Sequence, residues 1–275
     1  MGASRPARCH RAVPAGSAAR DGEPARVGGD AALTPAIETV ALSRSFGGVH
    51  AVDGASLRVP AGQRRAIIGP NGAGKTTFFN CLTGVLRPTS GRILLFGADV
   101  TRMPEYRRAR LGVGRTYQIS NVFLGLTVLE NVALAVHGTS RLKWMVHRSV
   151  DRLSDTREQA LGELDKVGLA HRRDVVVRAL SYGERRQLEL ALAMASRPRV
   201  LLLDEPTAGL APAERQRVSE LIADIPRAVT VILIEHDMSV VMGLADEVTV
   251  LHRGKVMLDG PPEVIQGNAE VREVY

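Results

Sequence analysis

Gly69-Pro70-Asn71-Gly72-Ala73-Gly74-Lys75-Thr76-Thr77 fits the pattern G-x-x-x-x-G-K-[ST], with the short apolar run Arg65–Ile68 before it and a helical run, Lys75–Thr83, after it. Glycines let a backbone fold closely around an anion, so that successive N–H groups and a helix N-terminus point at it. A lysine at the end of such a loop reaches the terminal phosphates, and the hydroxyl after it can ligate a divalent cation. The stretch reads as a phosphate-binding loop between strand and helix, and it commits the chain to an α/β fold. By itself it fits a kinase or a GTPase equally well.

Outward from the loop, two kinds of strand appear. Ile37–Leu42, Ala51–Val59 and Arg92–Phe96 are β-prone runs punctuated by glycine-containing turns, which predicts an antiparallel sheet. Val200–Leu203 and Val229–Ile234 are apolar without alternation, as expected of parallel strands buried on both faces. Leu126–Val136, Thr156–Val167 and Arg185–Ser196 carry helical spacing, and Pro212–Ile225 reads as a crossover helix. Glu247–Leu251 and Lys255–Asp259 form a last hairpin. The fold class is α/β: a phosphate-loop core with a parallel sheet, an antiparallel β-subdomain and an inserted helical subdomain at about 119–195. Residues 1–35, rich in Ala, Arg, Gly and Pro without apolar periodicity, read as a disordered extension, or as the product of a mis-chosen start codon; the domain proper is 36–275.

Composition narrows the classes. No run approaches the roughly 18 apolar residues of a membrane-spanning helix. Cys9 and Cys81 lack metal-ligand spacing and read as free thiols in a reducing compartment. The net charge of +7 suits nucleic acid or an anionic surface, but without long like-charge blocks it reads rather as solvated arginine, and 4% aromatic residues provide few stacking platforms. Arg107-Arg108-x-Arg110 reads as a solvated helical face, Cys81 as buried packing, and Trp144 as packing in the helical insertion.

Several further residues bear on chemistry. Val200–Leu203 ends in Asp204-Glu205, which places two carboxylates at the carboxyl edge of the sheet; Asp204 suits Mg²⁺ and Glu205 suits a general base. A solvated acidic turn is the alternative. Leu180-Ser181-Tyr182-Gly183-Glu184 contains a Ser181-x-x-Glu184 capping box opening a helix, which is a complete structural account, although such an N-terminus also suits an anion.

Together these stretches resemble the ATP-binding cassette family, from about Ile37 to Tyr275. The resemblance implies that ATP is held by Gly69–Thr77, that Ser181, Gly183 and Glu184 belong to the signature that contacts nucleotide on a partner subunit, and that Gln118 senses Mg²⁺. It implies that His236 contacts the γ-phosphate, where a lone histidine would otherwise be a surface residue. It also implies that Phe46 stacks on adenine, where core packing is the alternative. The implied catalytic set is Glu205, His236 and Lys75, and the implied metal set is Thr76, Gln118 and Asp204. Tyr182 and Glu184 depart from the usual signature, and Ala211 stands where many cassettes carry a dimer-bridging aspartate.

Leu180–Glu184, Gly112–Gln118 and Glu235–Met242 look like one branch, the first of the paired ATPases of branched-chain (hydrophobic) amino acid importers. Importers of urea or short amides share these features. The implied cofactors are ATP and Mg²⁺. The implied partners are transmembrane permease subunits, a second ATPase (identical or paralogous) and, indirectly, a periplasmic binding protein; nucleic acid is not expected. The implied location is peripheral, on the cytoplasmic face of the bacterial inner membrane. A soluble cassette ATPase acting on nucleic acid is the competing class, and a binding-only module is a third.

Overall fold

The computed structural model describes residues 1–2, 34–116, 122–139 and 150–274. The chain divides into two units, Met1–Ala31 and Ala32–Tyr275, and all the elements named below belong to the second. It opens with β1 (Ile37–Phe46), β2 (Val49–Val59) and β3 (Arg64–Ile68), followed by α1 (Lys75–Thr83). Next come β4 (Ser90–Leu95), β5 (Ala98–Asp99), α2 (Glu105–Arg110) and β6 (Val113–Arg115). Helices α3 (Val128–Thr139), α4 (Val150–Lys166) and α5 (Tyr182–Ala195) pack on one another. The remainder is β7 (Val200–Asp204), α6 (Pro212–Ala223), β8 (Thr230–Ile234), α7 (Met238–Leu244), β9 (Glu247–His252), β10 (Lys255–Gly260), α8 (Pro262–Gly267) and α9 (Ala269–Val274).

The antiparallel sheet has the order β2-β1-β4-β5, and the second sheet has the order β10-β9-β3-β8-β7-β6. In the second, β9, β3, β8, β7 and β6 run parallel, and β10 returns antiparallel at the edge. The missing alternation in β7 has a direct cause. Val200 and Leu202 face a cluster with Phe78, Phe79 and Leu82 of α1 and with β1, while Leu201 and Leu203 face α5, α6 and α7. Both faces are buried, so both must be apolar.

The strand at Arg92–Phe96 begins at Ser90, and α5 begins at Tyr182 rather than Arg185, because the Ser181 cap sets its first turn. Two elements carry too weak a local signal to be read: β6 is three residues with a glycine, and β5 is two residues.

Arg108 corrects one expectation. It is not part of a solvated face but is 1% exposed. Its guanidinium donates to the carbonyls of Cys81 and Leu82 at 2.7 Å each and of Met103 at 2.9 Å, so it satisfies the last turn of α1. Burial lowers its pKa to about 10. Cys81 is fully buried, as expected. Trp144 lies outside the described residues. No helix among the described residues is long and apolar enough to cross a membrane.

Candidate functional site

The phosphate loop leaves β3 at Ile68 and enters α1 at Lys75. Its glycines answer to backbone geometry. At Gly69 (φ 149°) a Cβ would overlap the Leu251 carbonyl, and at Gly74 (φ 99°) it would overlap the Ala51 carbonyl. The turn between β9 and β10 braces the loop through the Gly254 N–H, which donates to the Ala73 carbonyl at 2.9 Å. Among the described residues no side chain caps the N-terminus of α1, and its first turn holds no acidic residue, so its N–H groups and positive dipole end are open to an anion. Lys75 Nζ donates to the carbonyls of Gly69 (2.6 Å) and Pro70 (3.1 Å), a posture in which it arches over the loop. Burial lowers its pKa, against the raising influence of Glu205 and Asp204. Pro70, Asn71, Gly72 and Ala73 form the turn, and Thr76 and Thr77 lie in the first turn of α1.

Sheet order brings the other groups to the same edge. Ile67 pairs with Ile234 across β3 and β8, and Ile234 pairs with Asp204 across β8 and β7. The phosphate loop, Asp204-Glu205 and Glu235-His236 therefore leave neighbouring carboxyl ends. Asp204 is 1% exposed, and its Oδ2 lies 3.2 Å from Arg115 Nη2. Arg115 also donates to Asn80 Oδ1 at 2.6 Å. Burial raises the Asp204 pKa, with Arg115 pulling the other way. Its Oδ1 is buried with no hydrogen-bond partner among the described residues, a donor atom of the kind a cation satisfies. Glu205 is half-buried and holds a left-handed backbone, φ 47°, unusual for a non-glycine residue.

His236 is 59% exposed, and its Nδ1 lies 3.9 Å from Glu235 Oε2. Phe46 is 44% exposed, which rules out its reading as core; the Arg44 guanidinium lies 4.5 Å from its ring centroid. Ser181 and Glu184 form a reciprocal capping box: Ser181 Oγ accepts from the Glu184 N–H at 3.1 Å, and Glu184 Oε2 accepts from the Ser181 N–H at 2.8 Å. Glu184 also binds Arg172 at 2.8 Å. At Gly183 a Cβ would overlap the Glu214 carboxylate of α6. This signature group forms a cluster of its own, beside Gly209 and Glu214, and none of its hydrogen bonds reaches the phosphate loop among the described residues. Ala211 N-caps α6 without a side-chain acceptor, and Glu214 reaches back to its N–H at 3.3 Å. Gln118 lies outside the described residues.

Sequence reasoning missed two contributors. Arg115 and Asp204 are 89 positions apart, so no local pattern joins them. Glu235 did carry a signal, an acidic residue at the carboxyl end of an apolar run, the same kind that marks Asp204.

A phosphate cradle, a buried carboxylate with an unpartnered oxygen and a strained neighbouring glutamate at one sheet edge define a phosphate-loop nucleotide-binding protein. Residues 52–208 match the family described as ABC transporter. BraF of Pseudomonas aeruginosa, a high-affinity branched-chain amino acid transport ATP-binding protein, is 42% identical over 88% of this chain and 97% of its own length. LivG of Escherichia coli, which carries the same description, is 38% identical over the same shares. A nucleotide-free ATP-binding cassette from an ABC transporter superposes with a TM-score of 0.77 at 27% identity, over 88% of this chain and 98% of that one. An ADP-bound cassette superposes with 0.76 at 26%, over the same shares. The chain belongs to the ABC transporter family, as an ATP-binding cassette.

Proposed function

We propose that this chain is the ATP-hydrolysing subunit of an importer for branched-chain or other hydrophobic amino acids. The observation that carries hydrolysis is the shared edge on which Lys75, Asp204, Glu205 and His236 follow adjacent parallel strands. The solute class rests on the resemblance along nearly the full length of BraF and LivG.

In this reading the N–H groups of Gly69–Thr77 and the Lys75 ammonium hold the β- and γ-phosphates, and the exposed face of Phe46 receives the adenine. Thr76 and Asp204, with Gln118, hold Mg²⁺, which neutralises charge on the phosphate oxygens when bound. Glu205 takes the proton of a water whose oxygen attacks the γ-phosphorus; the bond to the β-bridging oxygen breaks and ADP leaves with its electron pair. His236 donates to the γ-phosphate. Ser181 accepts from Glu184, so its own hydroxyl hydrogen remains to donate to a nucleotide held by a partner subunit. That requires a dimer, of two copies or with a paralogous ATPase.

The permease contact is the groove of about 430 Å³ between α2, β6 and α5. Arg115, Thr116 and Val122 line it, on either side of the segment that holds Gln118. The subunit then works peripherally on the cytoplasmic face of the inner membrane. In this reading residues 1–35 are an N-terminal extension and the cassette is 36–275, with its helical subdomain at about 119–195.

The test is Mg²⁺-dependent ATP hydrolysis by the purified chain, beside Glu205→Gln. The variant binds ATP, stops turning over and accumulates as a dimer; wild-type turnover by it defeats the assignment of the base. Affinity purification from membranes identifies the permeases and any second ATPase. Thermal-shift screening of the accompanying binding protein then separates amino acids from urea and amides.

A further inference from the structure

Glu235 directly follows β8 and is 0% exposed, yet the hydrolysis reaction gives it no task. A buried carboxylate is costly unless several donors satisfy it. Here the donors come from two places. Oε1 accepts from the Thr207 hydroxyl at 2.5 Å and the Thr207 N–H at 3.2 Å. Oε2 accepts from the His236 N–H at 3.0 Å and the Asp237 N–H at 3.5 Å. Thr207 is itself buried and lies two residues beyond Glu205. One carboxylate therefore ties the loop that carries Glu205 to the segment that carries His236.

The backbone of Glu205 explains why a tie is needed. A non-glycine residue at φ 47° persists only where its surroundings over-determine it. The Glu205 N–H donates to the Ile234 carbonyl at 3.0 Å, and the Glu205 carbonyl accepts from the Ala208 N–H at 3.2 Å. Thr207, between these anchors, is held by Glu235 through both its N–H and its hydroxyl.

We infer that Glu235 is a positioning residue for ATP hydrolysis, fixing the general base Glu205 and the phosphate-contacting His236 relative to one another. This rests on the proposed roles of those two residues. Only a carboxylate fits the position. Each oxygen faces a backbone N–H, from Thr207 on one side and from His236 on the other. An amide offers one acceptor and must turn its NH₂ toward one of those donors, which forces the two segments apart.

The experiment compares Glu235→Gln, Thr207→Val and Thr207→Ser with the wild type and with Glu205→Gln. Each is measured for thermal midpoint, affinity for a fluorescent ATP analogue, and the kcat and KM of ATP hydrolysis. Glu235→Gln and Thr207→Val are expected to lose about 10- to 100-fold in kcat, the range a misplaced reacting group costs, with ATP affinity and KM within about twofold of wild type. Thr207→Ser keeps the hydroxyl and is expected to keep kcat. A kcat within about twofold of wild type in both Glu235→Gln and Thr207→Val overturns the inference. So does loss of ATP affinity in parallel with the thermal midpoint, which marks a purely structural role. Turnover by Glu205→Gln at the wild-type rate is a different failure, because it removes the base and with it the reading on which Glu235 depends. If Glu235→Gln does not fold, the contrast between Thr207→Val and Thr207→Ser decides.

Discussion

Arg115 Nη2 lies 3.2 Å from Asp204 Oδ2, and the two side chains are 9% and 1% exposed. The pair joins the edge strand β6 to β7, and Asn80 ties the same guanidinium to α1. Arg115 thus connects the carboxylate assigned to Mg²⁺ with the helix that follows the phosphate loop. Removing one partner of a buried pair strands the other as an uncompensated charge, at a cost of about 3–5 kcal/mol. Arg115→Met is therefore expected to lower unfolding stability by that amount in urea titrations. Adding Asp204→Asn to it should recover much of the loss while leaving the protein inactive, because the stranded charge is gone. A double variant no more stable than Arg115→Met would show that the arginine matters for packing rather than for charge.

Arg108 does for the far end of α1 what the cradle does for the near end. It donates to carbonyls of Cys81, Leu82 and Met103 in a buried site, and of these the Cys81 carbonyl also accepts from the Gly84 N–H at 3.2 Å. A carbonyl left without a partner in such a site costs about 1–3 kcal/mol. Arg108→Ala strands the Leu82 and Met103 carbonyls and is expected to destabilise the protein by at least about 2 kcal/mol. Arg108→Lys should restore only part of this, because a single ammonium cannot span carbonyls arranged for a planar fork. Equal stability of the alanine and lysine variants would contradict the fork geometry.

How far the sequence carries depends on how local the determining physics is. The phosphate loop, the Ser181–Glu184 box and the buried strand at Val200–Leu203 are each dictated by contiguous residues, and each sits where its pattern places it. Arg108 misleads because a charged triplet on a short helix looks solvated unless the helix C-terminus it caps is known. Arg115 becomes legible only once β6 and β7 are paired. Glu235 shares the sign that marks Asp204, but its partner Thr207 lies 28 positions away, so its task depends on the loops meeting.

Cys81 gives a chemical check on the packing of α1. Burial pushes its thiol pKa up to about 11, so almost no thiolate forms near neutrality. In the folded protein at pH 8 it is expected to resist iodoacetamide and to react once urea unfolds the chain. Peptide mapping separates it from Cys9. Rapid labelling of Cys81 in the native state would mean that α1 opens readily.

The capping box predicts a pH-dependent stability with a definite sign. Burial alone would raise the Glu184 pKa, but the Ser181 N–H and the Arg172 guanidinium outweigh it, and the net shift is downward. The folded pKa thus lies below the unfolded value of about 4.3. The charge contributes stability above that unfolded value and loses it as pH falls through the folded one. Glu184→Gln should therefore melt below wild type at pH 7, with the gap closing as the pH drops beneath about 4. Ser181→Ala removes the hydroxyl acceptor instead, at a cost of about 1 kcal/mol, or about 2–4 °C for a domain of this size. Its deficit should persist across the same range, because a hydroxyl does not titrate there. A Glu184→Gln deficit that stayed constant from pH 7 to pH 3 would mean that the side chain acts at the helix terminus through shape rather than charge.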